Sequence, residues 1–138
     1  MKNIIIKTVF SIAIISFFIF ISTSCQKEND PKKVTYTIVG FGDPYKVVYA
    51  IGDGSKTKVE TIKPNGISDA WSYSFSEMPG GITYLYIESK EDISASMSFN
   101  AAILINGTTF QKASYYDKNR ITSTDTVYVI KRSGTIPF

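Results

Sequence analysis

Histidine is absent from this chain, and cysteine occurs once, at Cys25. Without histidine there is no imidazole base titrating near neutral pH, no usual zinc or copper ligand, and no Ser-His or Cys-His nucleophile pair. The acid–base candidates left are carboxylates: Asp43, Asp53, Glu60, Asp69, Glu77, Glu88, Asp117 and Asp125. Paired acids can run glycoside hydrolysis. Most of these, however, fall in turns or on polar strand faces, where solvation or an Asx turn accounts for them. Calcium is equally poorly served, because Asp53-Gly54 lacks the alternating acidic loop and no cluster supplies six oxygens. Basic residues gather only at Lys32-Lys33 and Lys131-Arg132, which is no footprint for nucleic acid. The expectation is a protein that is not an enzyme and carries no metal or cofactor.

Long hydrophobic runs are confined to the N-terminus. Lys2 and Lys7 form a basic start, and Thr8 to Ser24 carries no charge. Val9-Phe10, Ile12 to Ile15 and Phe17 to Ile21 make an apolar stretch interrupted by Ser11 and Ser16 and closed by Ser22-Thr23-Ser24. It falls short of the roughly 20 apolar residues of a spanning helix. A basic start, a short apolar run and small residues together read as a signal peptide over residues 1–24. The small residues before Cys25 resemble a bacterial lipobox, in which the cysteine is acylated and becomes the first mature residue. The position three before the cysteine, usually a branched apolar residue, is Ser22, with Ile21 one place further out. The alternative is ordinary cleavage after Ser24, giving a dissolved protein with a free thiol. Acyl chains contribute about 0.8 kcal/mol per buried CH₂, so two or three of them anchor firmly.

Behind the cysteine, Gln26-Lys27-Glu28-Asn29-Asp30 resembles the export signal of surface lipoproteins in the Bacteroidetes group, a lysine followed by acids. Lys27, Glu28 and Asp30 match, and Asn29 stands where a second consecutive acid is common. This implies an outer-membrane lipoprotein exposed outward, the alternative being a periplasmic one on a plain hydrophilic tether over residues 25–33. Without the leader the charge is nearly balanced, 13 basic residues against 12 acidic. With its one thiol acylated the domain has no internal disulfide, so packing must hold it. Nine tyrosines and nine phenylalanines in the chain offer material for that packing.

No helical period is visible in the mature chain; short alternating runs separated by turns predict an all-β fold. Val34, Tyr36 and Ile38 alternate with Thr35, Thr37 and Val39. Tyr45, Val47, Tyr49 and Ile51 follow on one side of the next run, and Gly52-Asp53-Gly54-Ser55 signals a hairpin. Residues 56–63 read as a polar edge with Val59 or Ile62 turned inward. Trp71, Tyr73 and Phe75 alternate with serines, as in a half-buried strand. Residues 82–89 are apolar on both faces and predict a central strand. Residues 93–106 predict one long strand bent by a bulge, turning at Asn106-Gly107 into a return strand that ends at Tyr116. Residues 126–131 make the last strand, and 133–138 a tail. Seven or eight strands in residues 34–132 predict an antiparallel, immunoglobulin-like β-sandwich, with a small lipocalin-like barrel as the alternative.

The order of these pieces resembles the MmpS-like family of small exported domains. The matching residues are Val34-x-Tyr36-x-Ile38-x-Gly40, Val47-Val48-Tyr49 leading to Asp53-Gly54, Trp71-Ser72, and Ile103-x-Ile105-Asn106-Gly107. The family's proline before the tryptophan is Ala70 here, and its aspartate before the late glycine is Asn106. The resemblance implies an immunoglobulin-like sandwich and an accessory role beside large membrane exporters of lipid or siderophore. Its narrower implication is a non-catalytic module that makes contacts.

The sequence therefore leads to a binding or accessory module attached to the membrane through its N-terminal lipid, with an envelope protein or a glycan as partner. Tyr115 and Tyr116 are the candidate ligand contacts. Adjacent residues of a strand point to opposite faces, which predicts one exposed ring, and exposed rings are stacking platforms in sugar-binding sandwiches. A carbohydrate-binding module and a lipocalin-like carrier of an apolar molecule are the alternatives.

Overall fold

The computed structural model describes residues 29–90, 92, 99–122 and 125–138. The chain divides into two units, Met1–Asp30 and Pro31–Phe138, and the fold below is that of the second. Among the described residues nine strands follow one another: β1 (Lys32–Val39), β2 (Tyr45–Ile51), β3 (Lys56–Ile62), β4 (Ala70–Glu77), β5 (Ile82–Ser89), β6 (Asn100–Ile105), β7 (Thr108–Ala113), β8 (Asn119–Thr122) and β9 (Thr126–Thr135). They form two antiparallel sheets, ordered β4-β1-β6-β7 and β3-β2-β5-β9-β8. The architecture is the expected β-sandwich. The barrel alternative is not formed: only the hairpins β2-β3, β6-β7 and β8-β9 stay within one sheet, and every other connection changes sheet. The edges therefore never join into one continuous ladder among the described residues.

The period-2 rows of the sequence become the two inner faces. Val34, Tyr36 and Ile38 of β1 meet Tyr45, Val47 and Tyr49 of β2, with Leu85, Ile87, Ile103 and Ile130 filling the layer between. Each such apolar side chain contributes about 1.5–3 kcal/mol on burial. The tyrosines also satisfy their polar tips: the Tyr36 hydroxyl donates to the Ala50 carbonyl at 3.0 Å and accepts from the Tyr84 amide at 3.4 Å. Burial pushes the Tyr36 hydroxyl up to about 12. β5 is central, as its two apolar faces predicted. β3 is the polar edge, with Ile62 packed inward and Val59 turned out to solvent. Asn106 and Gly107 turn the β6-β7 hairpin at φ 51° and 80°, the left-handed pair that a type I′ turn demands.

Three readings need correction. Lys32 and Lys33, assigned to the tether, already pair with Glu77 and Ser76, so β1 starts ahead of residue 34. Residues 133–138 are not a loose tail. β9 continues to Thr135, and Ile136 is buried, exchanging amide and carbonyl bonds of 2.9 Å with Gly81 and Gly80. Small residues at Ser133 and Gly134 hid the strand, while one buried isoleucine holds it down. β8 was missed because its residues are all exposed; it exists through pairing with β9 and not through an apolar pattern. Where β6 and β7 pair, the ladder is bulged on β7. Ile103 faces Gln111 and Leu104 faces Thr109, which leaves Phe110 of β7 as the extra residue. Residues 93–98 of the predicted long strand lie outside the described ones.

Candidate functional site

Cys25, Gln26, Lys27 and Glu28 lie outside the described residues; Asn29 and Asp30 are exposed just ahead of β1. Tyr115 and Tyr116 do not end a strand. Ala113 closes β7, and Tyr115–Asp117 form a single 3-10 turn. Both rings therefore come to the same side, their centroids 3.9 Å apart and their planes inclined by 34°. Tyr115 packs on the core margin while Tyr116 is 80% exposed. A hydrogen bond to Tyr116 raises the Tyr115 hydroxyl above the ordinary tyrosine value.

The turn is held by Asp117 and Arg132. The Asp117 carboxylate accepts from the Ser114 amide at 2.8 Å and its hydroxyl at 3.2 Å, and pairs with Arg132 at 2.5 Å. The Ser114 amide first, then the Arg132 guanidinium, hold Asp117 below the usual carboxylate range. Arg132, on β9, also donates through Nε to the Lys112 carbonyl of β7 at 2.7 Å, which ties one sheet to the other. Beside this turn runs a cleft of about 690 Å³ lined by Phe99, Asn100, Lys112, Ser114, Tyr115 and Arg132 among others. An exposed ring beside planar polar groups can stack on and hydrogen-bond a small polar ligand.

A second surface lies on the opposite flank, where β3 and β4 end their sheets. Trp71, Tyr73 and Phe75 of β4 are half-buried and pack under the core, with Tyr49 touching Trp71 at 5.2 Å and Tyr73 at 4.7 Å between centroids. Across the gap, the Lys58 ammonium sits 5.1 Å over the Tyr73 ring, while within the five-stranded sheet the Tyr49 hydroxyl donates to Glu60 of the neighbouring β3 at 2.5 Å. A notch of about 90 Å³ opens at one end, between Tyr45, Ile62, Pro64, Asp69, Ala70 and Trp71. The alternation of aromatics with serine was legible in the sequence. That β4 has no described neighbour on its outer side was not, because strand order depends on pairings far apart in the chain.

Among the described residues no helix is long and apolar enough to cross a membrane, and no group of acids, histidines or cysteines is placed to hold a metal ion. No protein-family model matches the chain, and no curated protein matches it.

Proposed function

We propose that this chain is a lipid-anchored lipoprotein of the outer membrane, exposed at the surface, whose sandwich is a non-catalytic module contacting other envelope proteins. One observation carries the contact role: β4 is an eight-residue edge strand, regular along its length, without charge or proline from Ala70 to Ser76. Natural edges are ordinarily blunted by charge, proline, bulges or shortness. The other three are: β3 carries Lys56, Lys58 and Glu60, β7 is bulged at Phe110, and β8 is four residues long. An edge left bare among the described residues supports strand-mediated contact. The leader, Cys25 and the run Gln26 to Asp30 support the anchor and its address, and the MmpS-like resemblance supports an accessory role.

The test is a photo-crosslinking residue in place of Ser74, on the exposed side of β4, in intact cells. A discrete cross-linked product at Ser74, absent when the same group replaces the exposed Thr57 of β3, is the expected result. Crosslinking at neither position would count against contact through this edge. For the anchor, mass spectrometry of the mature N-terminal peptide should find a diacylglyceryl adduct that Cys25→Ala abolishes.

A second reading, carbohydrate binding, is favoured by the exposed Tyr116 ring beside the cleft. A glycan array should then show binding that Tyr116→Ala removes, and silence across a broad array would exclude it.

A further inference from the structure

One end of the sandwich is where the chain enters the fold. β1 begins at Lys32 beside Glu77, the last residue of β4, and Lys33 is bound through both backbone groups to Asn106 of the β6-β7 hairpin, at 2.8 and 2.9 Å. At the same end the β2-β3 hairpin brings Gly54 so close to Ile82 that a Cβ there would stand 2.8 Å from it. Beside it lies the turn Met78-Pro79-Gly80-Gly81, closed by the Gly81 amide on the Met78 carbonyl at 3.2 Å. The Phe138 ring lies against this turn, 3.7 Å from where a Cβ on Gly80 would stand. Met78, Ile82 and Phe138 are 46%, 53% and 77% exposed. Three of the seven exposed large hydrophobic side chains among the described residues thus gather around one turn. Of the other four, Val59 lies mid-strand, and Ile67, Tyr116 and Ile121 lie on elements toward the opposite end. Such a cluster marks contact with a protein or a membrane. Charge does not choose between them, because the side chains of this end balance: Lys32, Lys33 and Lys56 against Asp30, Asp53 and Glu77.

The length of the tether does choose. Resting on the reading that Cys25 carries lipid, we infer that this end docks on the lipid surface, with Phe138, Met78 and Ile82 entering the interfacial layer. Seven steps of chain separate Cys25 from Lys32, a reach of at most about 25 Å when fully extended. The eight residues of β1 run about 26 Å. The end carrying the three side chains is therefore never more than about one domain length from the headgroups. Three exposed side chains are a weak grip for a dissolved protein. A short tether makes the same contact intramolecular, at an effective concentration on the order of millimolar, an advantage that no dissolved partner has. Docked this way, Tyr116 and its cleft, which follow β7 at the opposite end, point away from the lipid. β4 then stands up from the surface with its edge clear of it.

The probe is a phosphatidylcholine vesicle with brominated acyl chains, which quench indole fluorescence at short range, holding the full chain purified from cells with its lipid. Phe138→Trp puts an indole at the contact, and Ile67→Trp puts one on the exposed loop between β3 and β4, at the far end. Trp71, the chain's one tryptophan, gives both the same background. Emission from Phe138→Trp should be quenched about twofold or more beyond that of Ile67→Trp, and salt should change this little, since apolar side chains and not charge make the contact. Adding Met78→Ser/Ile82→Ser to Phe138→Trp should remove most of the difference while circular dichroism stays native. Equal quenching of the two indoles, in a chain that floats with the vesicles, overturns the docking and leaves the anchor standing. A mature N-terminal peptide without a diacylglyceryl group overturns the anchor, and the docking with it. A photo-crosslinking group at Phe138 that captures a discrete protein in intact cells, where the vesicles show no quenching, overturns the lipid assignment and gives this end to a protein.

Discussion

The two flanks of the sandwich are built in opposite ways. On the β7/β9 flank the sheets are tied together: Arg132 bonds from β9 to the Lys112 carbonyl and to Asp117, and the Phe110 ring lies where Gly134 leaves room for it. A Cβ at Gly134 would stand 2.7 Å from that ring. On the β3/β4 flank no comparable bond between the sheets is present among the described residues. One cation over a ring and the ring contacts of Tyr49 with Trp71 and Tyr73 span it, and the half-buried aromatic row of β4 lies along its border. A sandwich must cover its core, but it need not cover both flanks equally. Stability can be concentrated on one and contact surface left on the other, since binding regions are generally drawn from the less stabilised parts of a fold.

The comparison can be broken most severely at Tyr49, the pillar behind the open flank, which touches Tyr36, Trp71 and Tyr73. Tyr49→Ala should cost about 3–5 kcal/mol, read by urea denaturation, because the cavity sits where little else can collapse into it. Next comes the closed flank. Arg132→Met keeps the stem and removes the inter-sheet bond and the ion pair, and should cost about 1–2 kcal/mol, discounted for partial exposure. Gly134→Ala should cost about 1 kcal/mol by pushing the Phe110 ring aside, and that cost should vanish in a Phe110→Ala background. Smallest is Lys58→Ala, under about 1 kcal/mol for an exposed cation over a ring, so that the open flank barely registers its loss.

Titration sharpens the same contrast. Asp117 on the closed flank has its folded pKa lowered, so its contribution is complete above about 4 and fades as pH falls through the lower folded value. Acid should therefore loosen the Tyr115–Asp117 turn, seen in the near-ultraviolet dichroism of its tyrosines, and Asp117→Asn should remove that pH dependence. Tyr36 and Tyr45 in the core have folded values raised to about 12 by burial, with Asp69 adding to the second. Their stabilisation is complete below about 10 and is lost as pH rises toward 12, which predicts cooperative alkaline unfolding.

Much of the fold was legible because period-2 alternation reports directly which face is buried. Val34-Tyr36-Ile38 and Tyr45-Val47-Tyr49 went inward as read, and Asn106-Gly107 turned as its residue types require. Reading failed where pairing or a single anchor outweighs pattern. β8 has no apolar row, the last residues are held by pairing with β5 and by the buried Ile136, and Tyr115-Tyr116 left the strand because Asp117 captures Ser114 and Arg132 and winds the chain into a turn. Of the candidate contacts, the tyrosine pair could be found by adjacency, whereas its shared side could not.

By itself the order of residues determined the all-strand character, the inward rows, the turn positions, the lack of imidazole and the lack of any thiol beyond Cys25, since each depends on local geometry or on composition. Tertiary structure alone decided which strands became edges and which flank was tied shut. Those outcomes depend on pairings between strands far apart in the chain, such as β1 with β6 and β5 with β9, that no short stretch of sequence encodes.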